Sequence, residues 1–154
     1  MEIKRITSSE LSLVVNLFDK YRVFYEQASD LQLARDFIQS RLEHNESVIF
    51  VALSDKDGET IPLGFTQLYP KYSSVRAVKN WILNDLFVEA NYRKQGIGEA
   101  LIKTAMEFAQ SRGAKFVELS TAVDNFTAQG LYESLGFKKL KPDTSFIDYR
   151  IELG

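Results

Sequence analysis

Residues 83–98 read Leu-Asn-Asp-Leu-Phe-Val-Glu-Ala-Asn-Tyr-Arg-Lys-Gln-Gly-Ile-Gly. An apolar strand there runs into a polar turn, and Arg93-x-x-Gly96-x-Gly98 opens an amphipathic helix. Glycine lets the main chain curl tightly, so that consecutive N–H groups converge on one concavity. The helix N-terminus adds partial positive charge at the same place. The chemistry that suits such a cradle, built from Arg93, Lys94, Gln95, Gly96, Ile97, Gly98 and Glu99, is the binding of an anion of phosphate size. A glycine pair alone would fit a bare strand-to-helix turn equally well, and the rest of the chain has to decide.

Other residues with chemical capacity lie around this segment. Asp85 places a carboxylate on the strand ahead of the cradle, a candidate general base or substrate anchor. Tyr132 lies on a short helix downstream and offers a phenol. Tyr21, Phe24, Tyr25, Glu26 and Asp30 cluster at a predicted helix junction, where aromatic faces beside carboxylates suit an ammonium guest. The same residues would also serve as core and solvated turn. The chain has no cysteine, which removes disulfides, thiolate metal sites and a cysteine nucleophile. A single histidine, His44, removes a multi-histidine centre, and no metal is expected. A net charge of −2 lacks the basic stripe that nucleic acid requires. No apolar run approaches membrane length, and Met1-Glu2-Ile3-Lys4-Arg5 is no signal peptide. The expectation is a soluble cytoplasmic protein without nucleic-acid or membrane partners.

The elements that must hold these residues can be read from periodicity. Residues 2–7 form a short strand. Ser8 or Ser9 caps a helix that runs through about residue 26, and a second helix begins near Asp30. Residues 47–53 and 61–69 pair across the turn Asp55-Lys56-Asp57-Gly58. A loop at 70–74 leads into a long strand at 75–88. The central helix spans 96–112 and stops at Gly113. A strand at 115–121, a helix at 125–135 ended by Gly136, and closing strands at 137–140 and 145–153 complete the chain. The order β-α-α-β-β-β-α-β-α-β-β is an α/β mixed sheet with helices on both faces, in one domain spanning 1–154.

The cradle, its helix and the segment Asn125-Phe126-Thr127-Ala128-Gln129-Gly130-Leu131-Tyr132-Glu133-Ser134-Leu135-Gly136-Phe137 together resemble the GNAT superfamily of N-acetyltransferases. That family carries Arg/Gln-x-x-Gly-x-Gly/Ala after a strand, then an Asn-x-x-Ala-x-x-x-Tyr helix ending in Leu-Gly-Phe. The specific match covers residues 83–140; the N-terminal third matches in element order only. The wording of residues 83–88 is similar to the polyamine and diamine acetylators, although those carry Glu where this chain has Asn84.

The resemblance implies the acyl-CoA N-acyltransferase fold, acetyl-CoA as donor and a primary amine as acceptor. It implies that the cofactor's pyrophosphate sits on the cradle and that its pantetheine adds like a strand beside Leu86, Phe87 and Val88. Asn125 then helps hold the pantetheine, and Tyr132 is the general acid. Without cysteine, a cysteinyl acyl-enzyme cannot form, so direct attack in a ternary complex is the simpler route. The Val88 N–H is the expected donor to the thioester oxygen, and a phenol of pKa about 10 suits a donor to the departing thiolate. For the base, Asp85, Glu89 or a water held by Asp85 and a neighbouring tyrosine all serve. Tyr21, Tyr25, Glu26 and Asp85 are the expected acceptor contacts. Alternatives are a protein lysine or N-terminal acetyltransferase and a non-catalytic acyl-CoA sensor; a homodimer is compatible with either.

Overall fold

A computed structural model describes residues 1–154, which divide into two compact units, Met1–Ser120 and Thr121–Gly154. The first is built on a five-stranded sheet in the order β1 (Glu2–Arg5), β2 (Val48–Lys56), β3 (Glu59–Ser73), β4 (Val78–Val88) and β5 (Val117–Glu118). The first four strands pair antiparallel in sequence order, and β5 joins β4 in parallel.

Strand β2 begins Val-Ile-Phe-Val-Ala-Leu, and all six of these residues are buried. Such a run is what a strand covered on both faces requires. Its side chains alternate between two helical layers. Ile49, Val51 and Leu53 join a core with Val15, Phe18, Ala34 and Ile38 from α1 (Val15–Phe24) and α2 (Leu31–Glu43). Phe50 points the other way, against Phe108 of α3 (Ile97–Ser111), at a ring separation of 5.7 Å. Helix α2 starts where its sequence says it should: the Asp30 side chain accepts from the Leu33 N–H, an N-cap bond. Helix α3 buries Ile97, Leu101, Ile102, Ala105 and Ala109, a stripe at helical spacing.

Several expectations need correction. The first helix is split, with a 3-10 turn at Ser8–Leu13 ahead of α1. The predicted loop at 70–74 is mostly strand, since β3 continues through Pro70 and Lys71 to Ser73. Proline cannot donate to a ladder, and its opposite number here is Trp81, whose own N–H turns away from β3 to Phe116 C=O at 3.4 Å. Strand β5 has only two residues rather than seven. The closing strands expected at 137–140 and 145–153 do not form, and no residue after α4 (Phe126–Ser134) is helix or strand. The apolar alternation Ile147, Tyr149, Ile151, Leu153 is there, yet each of these side chains is exposed. Alternation marks a face; a strand also needs a ladder partner, and none is present.

In the second unit, α4 carries both end signals that its sequence announces. Asn125 caps it by accepting from the Ala128 N–H at 3.1 Å. Gly136 has φ of 97°. Past it, Gly136 N–H bonds Glu133 C=O and Phe137 N–H bonds Tyr132 C=O, each at 3.1 Å. This is the Schellman arrangement, in which a left-handed residue turns the chain back over the last turn.

Candidate active site

The long strand β4 decides the geometry. Opposite Gln67 and Leu68 of β3 stand Asp85 and Leu83, so Asn84 is an extra residue without a partner. Such a bulge reverses which face later residues present. Trp81, before it, packs on Phe108 of α3. Phe87, after it, joins the core under α1 and α2. Asp85 follows the bulge and therefore faces the α1 side. Without the extra residue it would face α3.

Beyond the bulge, β4 keeps one edge bare. Glu89 N–H bonds Leu63 C=O at 2.9 Å, which makes this a hydrogen-bonded pair of the antiparallel ladder. By alternation, the N–H and C=O of Val88 and Leu86 then point away from β3. On that side β5 reaches only Trp81 and Ile82. Asn80 anchors the entry of β5: its buried side-chain oxygen accepts from the N–H groups of Lys115 (2.8 Å) and Phe116 (3.2 Å). After Ile82 and Glu118 the two strands share no ladder. A strand-like slot thus opens beside Leu86, Phe87 and Val88.

The slot leads to the cradle. Lys94 and Gly96 take φ of 63° and 80°, the left-handed conformations that curl successive amides together. The first helical bond is Ala100 N–H to Gly96 C=O at 3.0 Å. Ile97, Gly98 and Glu99 therefore have no acceptor within the helix, and no side chain caps it. These amides suit the pyrophosphate implied by the family likeness. Arg93 braces the turn: its Nε donates to Val88 C=O at 2.9 Å, and its guanidinium lies 5.5 Å from the Phe87 ring centre. Glu99 pairs with Lys103 at 3.0 Å, which offsets a carboxylate beside an anion site.

Asp85 is 2% exposed. Burial pushes its carboxyl above the usual range, while hydrogen bonds from Asn84, Gln67 and Tyr21 pull the other way. The Gln67 amide reaches it at 2.5 Å and the Asn84 amide at 2.9 Å. Burial and then the charge of Asp85 push the Tyr69 phenol up to about 12 and raise Tyr21 further. Tyr21 sits half-buried against Phe65 and Tyr25, with ring centres 5.9 and 5.0 Å away. Tyr25 and Glu26 are exposed at the C-terminal end of α1, where Glu26 takes φ of 65°. Glu89 is ion-paired with Lys20.

The first unit thus brings together Asp85, Tyr21, the bare edge and the cradle. Asn125 and Tyr132 share α4 in the second unit. There the Tyr132 ring stands 6.0 Å from that of Phe137, so the Leu-Gly-Phe ending also orients the phenol. Sequence reasoning passed over Asn80, Gln67, Ser47 and Gly64. For Gly64 a signal existed, because an isolated glycine inside a strand marks close backbone approach. A Cβ there would lie 2.7 Å from Phe87 C=O.

Residues 13–137 match the model of the acetyltransferase (GNAT) family. The chain is 44% identical to the N-acetyltransferase YhfO of Bacillus subtilis (strain 168), itself uncharacterized, over 97% of this chain and 95% of that one. A solved structure described as a probable acetyltransferase superposes with a TM-score of 0.87 at 39% identity, covering 100% of this chain and 99% of the other. An aminoglycoside N-acetyltransferase in complex with CoA shares the fold, with a TM-score of 0.77 at 18% identity over 99% and 95% of the two chains.

Proposed function

Since this chain belongs to the GNAT acetyltransferase family, whose members carry an acetyl group from acetyl-CoA to an amine, we propose that it acetylates a small primary amine by direct attack within a ternary complex. It is an acetyl-CoA-dependent N-acetyltransferase; the substrate class and the roles of individual residues are our reading. The observation that carries this reading is the bare edge of β4, which runs from a buried carboxylate to a curl of amides without acceptors.

Acetyl-CoA supplies the activated acyl group, and the protein supplies orientation and electrostatics. Leu86 offers its N–H and C=O to the pantetheine amides, a strand addition in miniature, while the Val88 C=O is held by Arg93. The cradle amides of Ile97, Gly98 and Glu99 receive the pyrophosphate. Asn125 assists the pantetheine, as its match to the family position suggests. The Val88 N–H donates to the thioester oxygen as negative charge develops there. Asp85 takes the proton of the incoming ammonium: an N–H bond breaks, an O–H bond forms, and the nitrogen lone pair is freed for attack. Tyr132 gives its proton to the departing sulfur, by the same family match; the acylated nitrogen then sheds its second proton through water, which leaves a neutral amide and restores the phenol. Tyr21 and Tyr25 present ring faces to the ammonium, with Glu26 adding negative charge at the rim.

Calorimetry with acetyl-CoA tests the cradle: binding is expected, and Gly98→Asp should weaken it severely. Unchanged affinity in that variant would remove the pyrophosphate from this place. Release of free thiol, screened over polyamines, aminoglycosides, amino acids and lysine peptides, identifies the acceptor. Turnover confined to the lysine peptides would replace the small amine with a protein substrate. Tyr132→Phe should lower kcat with little change in KM for acetyl-CoA; full turnover would dismiss the acid role.

A further inference from the structure

Asp85 is held by a chain of polar side chains that crosses three strands. Ser47, just before β2, donates its hydroxyl to Gln67 Oε1 at 2.7 Å, and Gln67 Nε2 donates to Asp85 Oδ2 at 2.5 Å. All three residues are buried, Gln67 completely. A buried glutamine in mid-strand is costly unless both ends of its amide are used, and here both are. The amide is also polar in direction. With the Ser47 hydroxyl on its oxygen, the nitrogen must face Asp85. Were the amide reversed, a carbonyl oxygen would confront the carboxylate.

We infer that Gln67, oriented by Ser47, is a positioning residue that aims the Asp85 carboxylate and keeps it ready to accept the substrate's proton. The inference rests on Asp85 being the base. The groups facing Asp85 explain why an amide matters. Tyr21 from α1 and Tyr69 from β3 are the titratable ones, and Arg41 of α2 acts on Tyr69. None of the side chains at the Asp85 carboxylate is a cation: the Gln67 and Asn84 amides donate to it, and the neighbouring Tyr21 hydroxyl donates to Asn84 C=O at 3.4 Å. Neutral donors thus oppose the burial that would otherwise keep the carboxyl protonated. The bulge at Asn84 completes the arrangement, because it turns Asp85 toward Gln67 and presents its own amide to Oδ1.

The test is a carbon-13 NMR titration of the aspartate side-chain carboxyls, with the Asp85 resonance assigned by its loss in Asp85→Asn. In Gln67→Leu the Asp85 midpoint should rise by about one pH unit. Ser47→Ala should move it the same way by less, and Ser47→Thr should restore it. The acid limb of kcat/KM, measured with the best acceptor from the thiol screen, should follow the NMR midpoint. Circular dichroism checks folding, and if Gln67→Leu does not fold, the Ser47 pair alone decides. An Asp85 midpoint unmoved in folded Gln67→Leu, or in Ser47→Ala where that variant decides, overturns the positioning role. Wild-type turnover in Asp85→Asn would instead remove Asp85 as base, an outcome distinct from the first.

Discussion

Gly64→Ala should damage acetyl transfer from the far side of β4, the strand proposed to line the cofactor slot. Gly64 faces Val88 across the β3–β4 ladder. An alanine Cβ there would stand 2.7 Å from Phe87 C=O and 3.2 Å from Val88 Cα. The first distance falls 0.7 Å short of the 3.4 Å at which ordinary contact begins. Both obstacles are backbone, so no side chain can rotate away. The strands must part, and the residues displaced are those whose outer edge lines the slot. Overpacking of this kind costs about 1–3 kcal/mol. For a domain of this size, a loss of about 2 kcal/mol lowers Tm by about 4–8 °C. Misplacement by 1 Å costs about 10²-fold in rate, so a shift somewhat smaller should cost on the order of tenfold or more in kcat/KM for acetyl-CoA. Scanning calorimetry and steady-state kinetics read both effects. Gly113→Ala, past the end of α3 and outside the proposed site, is the control, because nothing lies within 4 Å of its Cβ. Its cost is the left-handed backbone alone, about 1–2 kcal/mol, with β4 left in place. Gly64→Ala with wild-type Tm and wild-type kcat/KM would refute the coupling of β3 to the slot.

Burial raises the Asp85 carboxyl, so the unfolded chain ionises first as pH climbs past about 4, and the folded state loses stability from there up to the folded pKa. Asp85→Asn abolishes that loss; its Tm relative to wild type should therefore climb between pH 4 and neutrality, and a constant difference in thermal melts would contradict the burial argument. Tyr69, pushed up to about 12 by burial and then by Asp85, should contribute nothing to tyrosinate absorbance below about pH 11. Tyr69→Phe should leave the titration curve in that range unchanged. Glu89→Gln should lower turnover by no more than about fivefold, since it removes only a partly exposed ion pair with Lys20, a contribution of about 0–1 kcal/mol. A loss of 10²-fold would return Glu89 to candidacy as the base.

Local signals carried the parts of the fold that local physics determines. The Asp30 cap, the α3 stripe and the Asn125 and Gly136 boundaries of α4 are each set within a few residues, and each was legible; the turn expected over Asp55-Lys56-Asp57-Gly58 is tighter, since Asp55 and Lys56 still pair in β2 and only Asp57 and Gly58 turn. The turn at Gly96 was legible for the same reason, because its φ of 80° is one that glycine adopts freely. Strand extents were not. Residues 70–73 look like a loop by composition, yet they lie in β3 because Val78 to Trp81 lie opposite and complete the ladder. The alternation after residue 145 reads as a strand and is not one.

The same distinction governs the site. A sequence reports which residue types occur and on which face of an ideal strand they fall. The role of Asp85 depends instead on a single unpaired residue, Asn84, which moves it from the α3 side to the α1 side. No property of Asn84 alone requires a bulge; the pairings of Gln67 and Leu68 impose it from the neighbouring strand. The slot depends likewise on how far β5 follows β4, a ladder that ends at Ile82 and Glu118, and the Asn80 side chain anchors the entry to that ladder by holding Lys115 and Phe116 from 35 and 36 residues away. Edges and faces are settled by long-range pairing, so residues with chemistry can be named from sequence while their direction cannot. Asn80→Ala separates the two levels. It alters no residue of the proposed site, yet it should free the start of β5 and weaken acetyl-CoA binding by loosening one wall of the slot. Wild-type affinity in the calorimeter, with the protein folded, would mean that the opening is held by something other than this bond pair.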